Sequence, residues 1–370
     1  MTEHTPVLDA IPPGVRELLL RYRFATDTFE GLAATLRDRG VAGMTNRIEV
    51  PVEPPAASDM RPLARPGTDE YATLREQGLR MIREGRFAAA VLNGGMATRF
   101  GGVVKGVVEA RPGRSFLQLQ AEHLRQLGEE AGAPIPLLLM NSFATAEETE
   151  AHLAETGRLG LGEDLRTFEQ RVAPRLTPSA ELFHTDDGQP SLYGPGHGDF
   201  AGSLRDAGLL DWLESRGIRH ISLCNVDNLG ARPDPVILGH HLDGGKPLTV
   251  ELVDKDPGDK GGAPARVDGH LEIVEDFRFP ADFDSDRIPV FNTNTFVFDL
   301  PALRAEHPLD WFTVVKRVQG RDAVQFERLV GQLTAFEDAT YLRVPRERFL
   351  PVKRPEDLTA LQPTLAAIFG

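Results

Sequence analysis

The chain has 370 residues with a formal charge of -14, from 41 Lys and Arg against 55 Asp and Glu, and 41% of its residues are hydrophobic. That balance excludes chain-wide disorder, and the acidity makes nucleic acid and anionic membrane poor partners, because affinity for either comes mainly from Lys and Arg. One cysteine, Cys224, leaves no intrachain disulfide or cysteine-pair zinc site, and with neither a signal peptide nor an apolar run near the about 18 residues of a membrane span, the expectation is a cytoplasmic protein.

In chain order, Val15, Leu18, Leu19, Leu20, Phe24, Phe29, Leu32 and Leu36 recur at helical spacing and predict one or two helices over 14–37. Residues 51–66 (PVEPPAASDMRPLARP) read as a proline-rich connector without regular structure. A helix over 69–84 then leads into a buried strand, Phe87 to Leu92, which runs straight into glycines. Helices near 117–127 and 146–155 alternate with strands at 136–140 and 166–172. A further helix over 200–216 leads to a strand over 220–225. Short apolar strands alternating with amphipathic helices argue for an α/β fold with a mixed, mostly parallel sheet. Strand-like runs follow over 248–300, then helix from 300 before Tyr341, with a basic stretch to Arg354. The expected division is a helical N-terminal extension and connector (1–66), an α/β domain with an insertion (67–340), and a short basic C-terminal segment (341–370).

The turn Leu92-Asn93-Gly94-Gly95-Met-Ala-Thr-Arg99 through Lys105 carries the most chemistry. Glycines at a strand's end let backbone amides approach phosphate oxygens, and Arg99 and Lys105 add fixed positive charge. Between Val91 and Phe116 four cations (Arg99, Lys105, Arg111, Arg114) face the single anion Glu109, a basic island in an acidic chain. The turn is neither a Walker A loop, since Gly106 follows Lys105 where Ser or Thr belongs, nor a dinucleotide fingerprint, since the glycine spacing is wrong. Asp227 follows the strand over 220–225, where an α/β sheet places ligands, and either holds a hard cation or caps the next turn. The adjacent His240 and His241 point about 100° apart on a helix and have no acidic or histidine partner at i+4, so a metal pair is not expected.

Taken together, Leu92-Asn-Gly-Gly…Arg99…Lys105, Pro136–Phe143, Pro174-Arg175, Gly194–Asp199, Asn225–Gly230, Lys260-Gly-Gly262, Ile273-Val-Glu275, Phe291–Asn294 and Arg348–Lys353 resemble, in order and spacing, the UTP–glucose-1-phosphate uridylyltransferase family of sugar-1-phosphate nucleotidyltransferases. The resemblance covers about residues 87–361. It implies a Rossmann-like, GT-A-like nucleotidyltransferase fold, here without the C-terminal β-helix of eukaryotic members. It implies nucleotide contact by Leu92, Asn93, Gly94, Gly95, Gly196 and His197, with Gln170 on the uracil edge. It assigns Asn225, Gly262, Glu275, Asn292 and Asn294 to the hexose, Asp227 to Mg²⁺, and Arg99, Lys105 and Lys353 to the phosphates. The implied reaction joins UTP and glucose 1-phosphate into UDP-glucose with release of pyrophosphate. Alternatives at this point are another hexose 1-phosphate or a sugar-nucleotide-binding protein without turnover. Three departures bear on them: Ala97 stands where the family has glycine, Val104 precedes Lys105 in place of proline, and the loop is one residue shorter. Oligomeric state does not follow from the pattern.

Overall fold

A run that is apolar and buried at every position, as Phe87–Leu92 is, belongs inside a sheet covered on both faces. The computed structural model describes Val7 and residues 11–97, 102–256, 258–259 and 261–370. Eight described strands build its main sheet: β1 (Met60–Pro62), β2 (Phe87–Leu92), β3 (Leu137–Asn141), β4 (Leu165–Glu169), β5 (His220–Asn225), β6 (Leu248–Asp254), β7 (Val290–Asp299) and β8 (Ala339–Arg343). Their spatial order is β1-β8-β6-β7-β5-β2-β3-β4. Neighbours are parallel except around β7, which runs antiparallel to β5 and β6. The α/β, mostly parallel expectation is met.

The helices are α1 (Pro13–Arg21), α2 (Thr26–Gly43), α3 (Asp69–Arg83), α4 (Phe116–Ala131), α5 (Ala146–Glu155), α6 (Phe200–Asp206), α7 (Leu209–Ser215), α8 (Pro235–Gly244), α9 (Leu300–Arg304) and α10 (Pro355–Phe369). Strand alternation divides β2 between two cores: Ala88 and Ala90 pack with α6, α7 and α9, Ala89 and Val91 with α3, α4, α8 and α10. Helix starts follow local chemistry. Ser115 accepts the Gln118 N–H while the Gln118 side chain accepts the Ser115 N–H, at 3.1 and 2.9 Å, a reciprocal cap on α4. Outside the sheet, Phe29, Ala33 and Leu36 of α2 pack with Val172, Tyr193 and Phe326 in a separate apolar cluster. The N-terminal helices are thereby fastened to the wall that carries residues 172–193.

Three expectations change. The proline-rich stretch is not free of regular structure: Val52–Glu53 pairs with Ala263–Val267, and β1 joins the edge of the main sheet, where proline is tolerated because one side needs no donor. The single helix over 200–216 is two, broken at Gly208, whose φ of +68° a glycine adopts without strain. The helical reading of 300–340 holds for α9 and a 3-10 helix at Val330–Ala335 but is overturned between them. Phe312–Val318 and Arg321–Glu327 form a hairpin, favoured by Val314, Val315, Val318 and Val324 and closed by Gln319-Gly320 with both φ positive.

Helices α3 and α8 meet backbone to backbone. A Cβ on Gly78 would lie 1.9 Å from the Pro235 carbonyl oxygen, and one on Gly239 2.1 Å from that of Leu74. Gly239→Ala is therefore expected to destabilise the protein by about 3 kcal/mol, the upper range for overpacking. Gly31→Ala in α2, where an added Cβ meets nothing within 4 Å, should be neutral or stabilising by up to about 1 kcal/mol. Urea unfolding of both variants checks the contrast.

Candidate functional site

The C-terminal ends of four adjacent parallel strands, β5, β2, β3 and β4, open onto one cleft of about 630 Å³. Carbonyl ends of parallel strands and the turns that leave them are where α/β sheets bind ligands. Of the residues singled out from sequence, Leu92, Gly94, Gly95, Lys105, Gln170, Gly196, His197, Asn225 and Asp227 line it. Arg99 and Lys260 lie outside the described residues.

Lys105 sits on the cleft floor with its side chain only 10% exposed. Its ammonium donates to Asp227 Oδ2 at 3.1 Å and to the Val352 carbonyl at 2.5 Å. An ammonium so far from water needs such partners, since an unpaired buried charge is expensive. The carbonyl partner is delivered by the C-terminal segment, which is zipped to the loop after β5. There the Val352 N–H donates to the Asp227 carbonyl at 2.9 Å and the Leu350 N–H to Asn228 Oδ1 at 2.8 Å. Beneath it, Arg348 forms a bidentate pair with Glu251 at 2.6 and 2.8 Å. Lys353 follows directly but is exposed and outside the cleft wall, and its charge acts on Asp259, whose carboxyl is lowered by its Arg346 partner and by Lys353 against the opposing effect of burial.

Gln170 leaves β4 into a cradle built from glycine. A Cβ on Gly194 would stand 2.1 Å from the Gln170 amide nitrogen, and one on Gly94 3.0 Å from it. The carboxamide thus lies between two backbones, presenting a donor and an acceptor to the cleft. Beside it, His197 is half-buried at the surface of the cleft. Burial lowers its pKa to about 4, so the ring is neutral at ordinary pH. Its Nδ1 accepts the Val330 N–H at 3.0 Å, which leaves the proton on Nε2 as a donor. Gly196 holds φ at +92°, and its missing Cβ lets the loop approach the Arg328 carbonyl, which a Cβ would meet at 2.4 Å. Asn93 stands behind the loop. It is 1% exposed, donates to Asn141 Oδ1 and Thr149 Oγ1 at 2.8 and 2.9 Å, and does not line the cleft.

The remaining polar residues gather at the β5–β7 side. Just beyond the last β5–β7 pair, Leu223 and Phe296, the Asn294 amide donates to Asn225 Oδ1 at 2.9 Å. Asn294 takes φ of +58°, a conformation asparagine tolerates better than most residues, with its N–H donating to Asn292 Oδ1. The Asn292 N–H donates to the Gly262 carbonyl at 2.6 Å, and its side-chain amide nitrogen is buried without a partner among the described residues. Glu275 closes this group, its Oε1 2.9 Å from where a Gly262 Cβ would be. Burial raises the Glu275 pKa to about 7, only partly offset by Arg278.

Sequence reasoning gave no role to Arg175, Ser142, Tyr193 or Gln325, which also line the cleft. Arg175 is a fixed cation: Nε donates to Gln325 Oε1 at 3.0 Å, Nη1 to Ser191 Oγ at 3.0 Å, and the guanidinium lies over the Tyr193 ring at 5.3 Å. Pro174-Arg175 belonged to the sequence pattern, but no spacing rule ties it to residues 150 positions away.

Residues 53–368 match the family model for UTP–glucose-1-phosphate uridylyltransferase. A UTP–glucose-1-phosphate uridylyltransferase of Musa acuminata is 34% identical over 298 residues, 76% of this chain and 63% of that relative. The chain spans less than two thirds of the length of the curated relatives it matches, 60 to 63%. Among solved structures, a UDP-glucose phosphorylase of Trypanosoma brucei superposes with a TM-score of 0.72 at 27% identity, covering 91% of this chain and 74% of that one. A uridine diphosphate N-acetylglucosamine pyrophosphorylase of Trypanosoma brucei shares the fold, with a TM-score of 0.75 at 20% identity over 90% of this chain and 75% of that one. Among the described residues no helix is long and apolar enough to cross a membrane.

Because its pKa is raised from 4.5 to about 7, Glu275 binds a proton more tightly in the folded than in the unfolded chain. The stability this contributes is complete below about pH 4.5 and is lost as pH rises through about 7, where a half-buried carboxylate replaces the neutral acid. Glu275→Gln should therefore gain about 2 kcal/mol relative to the parent between pH 5 and pH 8. Paired urea titrations at the two pH values measure it, and a pH-independent difference would contradict the assignment.

Proposed function

The chain belongs to the UTP–glucose-1-phosphate uridylyltransferase family, and from that membership we propose that it is a Mg²⁺-dependent uridylyltransferase converting UTP and glucose 1-phosphate to UDP-glucose and pyrophosphate. The observation that carries the reading is the Lys105–Asp227 pair on the floor of a cleft whose wall holds Gln170 between Gly94 and Gly194.

A phosphate oxygen of glucose 1-phosphate attacks the α-phosphorus of UTP, and the bond from that phosphorus to the bridging oxygen of the β-phosphate breaks in line. The nucleophile is already an anion near neutral pH, so no general base is required. Positioning and charge neutralisation remain as the tasks of the protein. Gln170 pairs with the uracil edge, donating and accepting together. The amides of Gly94 and Gly95 face the phosphates, with Leu92 below them, and the neutral His197 adds one directed N–H. Lys105 and Arg175 neutralise charge that moves from the α-phosphate to the leaving pyrophosphate, with Arg99 alongside by family resemblance. Asn225, Asn292, Asn294, Glu275 and the Gly262 backbone suit the hydroxyls of a hexose, which donate and accept alike. Lys353 reaches the sugar phosphate in this reading only by turning away from Asp259.

The donor set fits Mg²⁺. Asp227 offers a hard carboxylate in a cleft with room for phosphate oxygens and water, which complete the shell of this ion. Bound there, the ion supplies charge neutralisation to the phosphates.

Purified protein assayed for pyrophosphate release from UTP with glucose, galactose or N-acetylglucosamine 1-phosphate is expected to prefer glucose. Activity with none of the three, alongside retained UDP-glucose binding, would instead establish a binding protein. Lys105→Ala should lower kcat by about 10²–10³, the loss seen when one transition-state donor is deleted. Gly194→Ala should mainly raise the KM for UTP, because its Cβ displaces the Gln170 amide while the phosphate groups stay in place.

A further inference from the structure

The two adjacent histidines of α8 do point apart, as their spacing requires. His240 Nε2 accepts the Ala64 N–H at 3.1 Å, whereas His241 turns under the sheet. What no local spacing reveals is where His241 arrives. His220 opens β5, Asp299 closes β7, and the strand register pairs these two directly. His220 Nδ1 lies 2.6 Å and His241 Nε2 3.0 Å from the same oxygen, Asp299 Oδ1, and all three atoms fall within 4.8 Å of one another. The histidine side chains are 10% and 1% exposed, while Asp299 keeps 34% of its side chain open to solvent. His241 Nδ1 is 2.9 Å from Thr249 Oγ1, and His220 Nε2 is buried without a partner among the described residues. The group stands at the opposite end of β5 from Asn225, and at about 3.3 Å per residue this six-residue strand separates it from the cleft by roughly 17 Å.

We propose that His220, His241 and Asp299 form a site for a divalent transition metal of the zinc type, distinct from the Asp227 position. Two imidazole nitrogens and one carboxylate select Zn²⁺ or Co²⁺ over Mg²⁺, which prefers oxygen. Ligands at 2.0–2.1 Å in a tetrahedron are separated by about 3.3 Å, so small side-chain rotations convert the present hydrogen-bonded spacing into a coordination shell. The open face of Asp299 admits a water as fourth ligand. Both rings change tautomer and no proton leaves. The His220 proton moves from Nδ1 to Nε2, and the His241 proton moves from Nε2 to Nδ1, where the Thr249 hydroxyl accepts it. Thr249 is thereby the residue that orients a metal-bound imidazole. The ion would tie β5, β7 and α8 together, so binding and folding are coupled.

The test is titration of the whole protein with Co²⁺ in excess Mg²⁺, which keeps the Asp227 position occupied. One equivalent should produce the intense visible bands of a tetrahedral nitrogen-containing site, discharged by Zn²⁺, and Zn²⁺ should raise Tm. Asp299→Asn, which preserves volume, should abolish the bands, and Thr249→Val should weaken Co²⁺ binding about tenfold with the ligands intact. Absence of tetrahedral bands in the parent protein at millimolar Co²⁺ would overturn the proposal, and so would a folded Asp299→Asn protein that binds as the parent does. If Asp299→Asn fails to fold, the parent spectrum and Thr249→Val still decide.

Discussion

The Lys105 ammonium joins three segments far apart in the chain: the end of the glycine loop, the loop after β5 and the strap that follows β8. It is nearly withdrawn from water, so its position is intelligible only with the Asp227 carboxylate and the Val352 carbonyl both in place. Each of those has its own anchor. Asp227 is held by its backbone contact to Val352, and the strap by Asn228 and by the buried Arg348–Glu251 pair. The charged centre of the cleft is thus an assembly of loops whose geometry depends on a cation.

Around that centre the protein removes side chains as purposefully as it places them. Gly94 and Gly194 leave space for a carboxamide, Gly196 and Gly198 let their loop press on the Arg328 backbone, and Gly262 makes way for Glu275. Their effect is to let polar groups come closer together than any Cβ would permit.

Much of this architecture was legible in the sequence. Phe87–Leu92 and His220–Asn225 are strands at their expected bounds, and Ala146–Glu155 is a helix at its own. Those segments carry strong local signals, apolar runs or amphipathic spacing between turn residues. The hairpin over 312–327 was missed because valines broken by Arg and Lys suit either structure, and Gln-Gly is an uncommon hairpin turn. Gly94, Gly95, Gln170, His197 and Asp227 were singled out because a pattern of short motifs ties them together, and the fold brings them to one cleft. Arg175 stood in that pattern without a role and the His220–His241–Asp299 group was not seen, because their meaning lies in tertiary contacts linking residues up to 150 positions apart. Asn93 shows the converse, a loop residue of the same pattern whose side-chain amide turns inward to hold β2, β3 and α5.

β7 is the one strand of the main sheet with antiparallel neighbours on both sides, and it carries Asn292 and Asn294 at one end and Asp299 at the other. Side chains alternate faces along it, so gaining or losing one residue between Asn294 and Asp299 would turn one of the two ends out of its cluster. Descendants of this sequence are accordingly free to lengthen the loops flanking β7 but are held to an unchanged count within it. Its length is inherited as a unit, like the spacing between two teeth of a key.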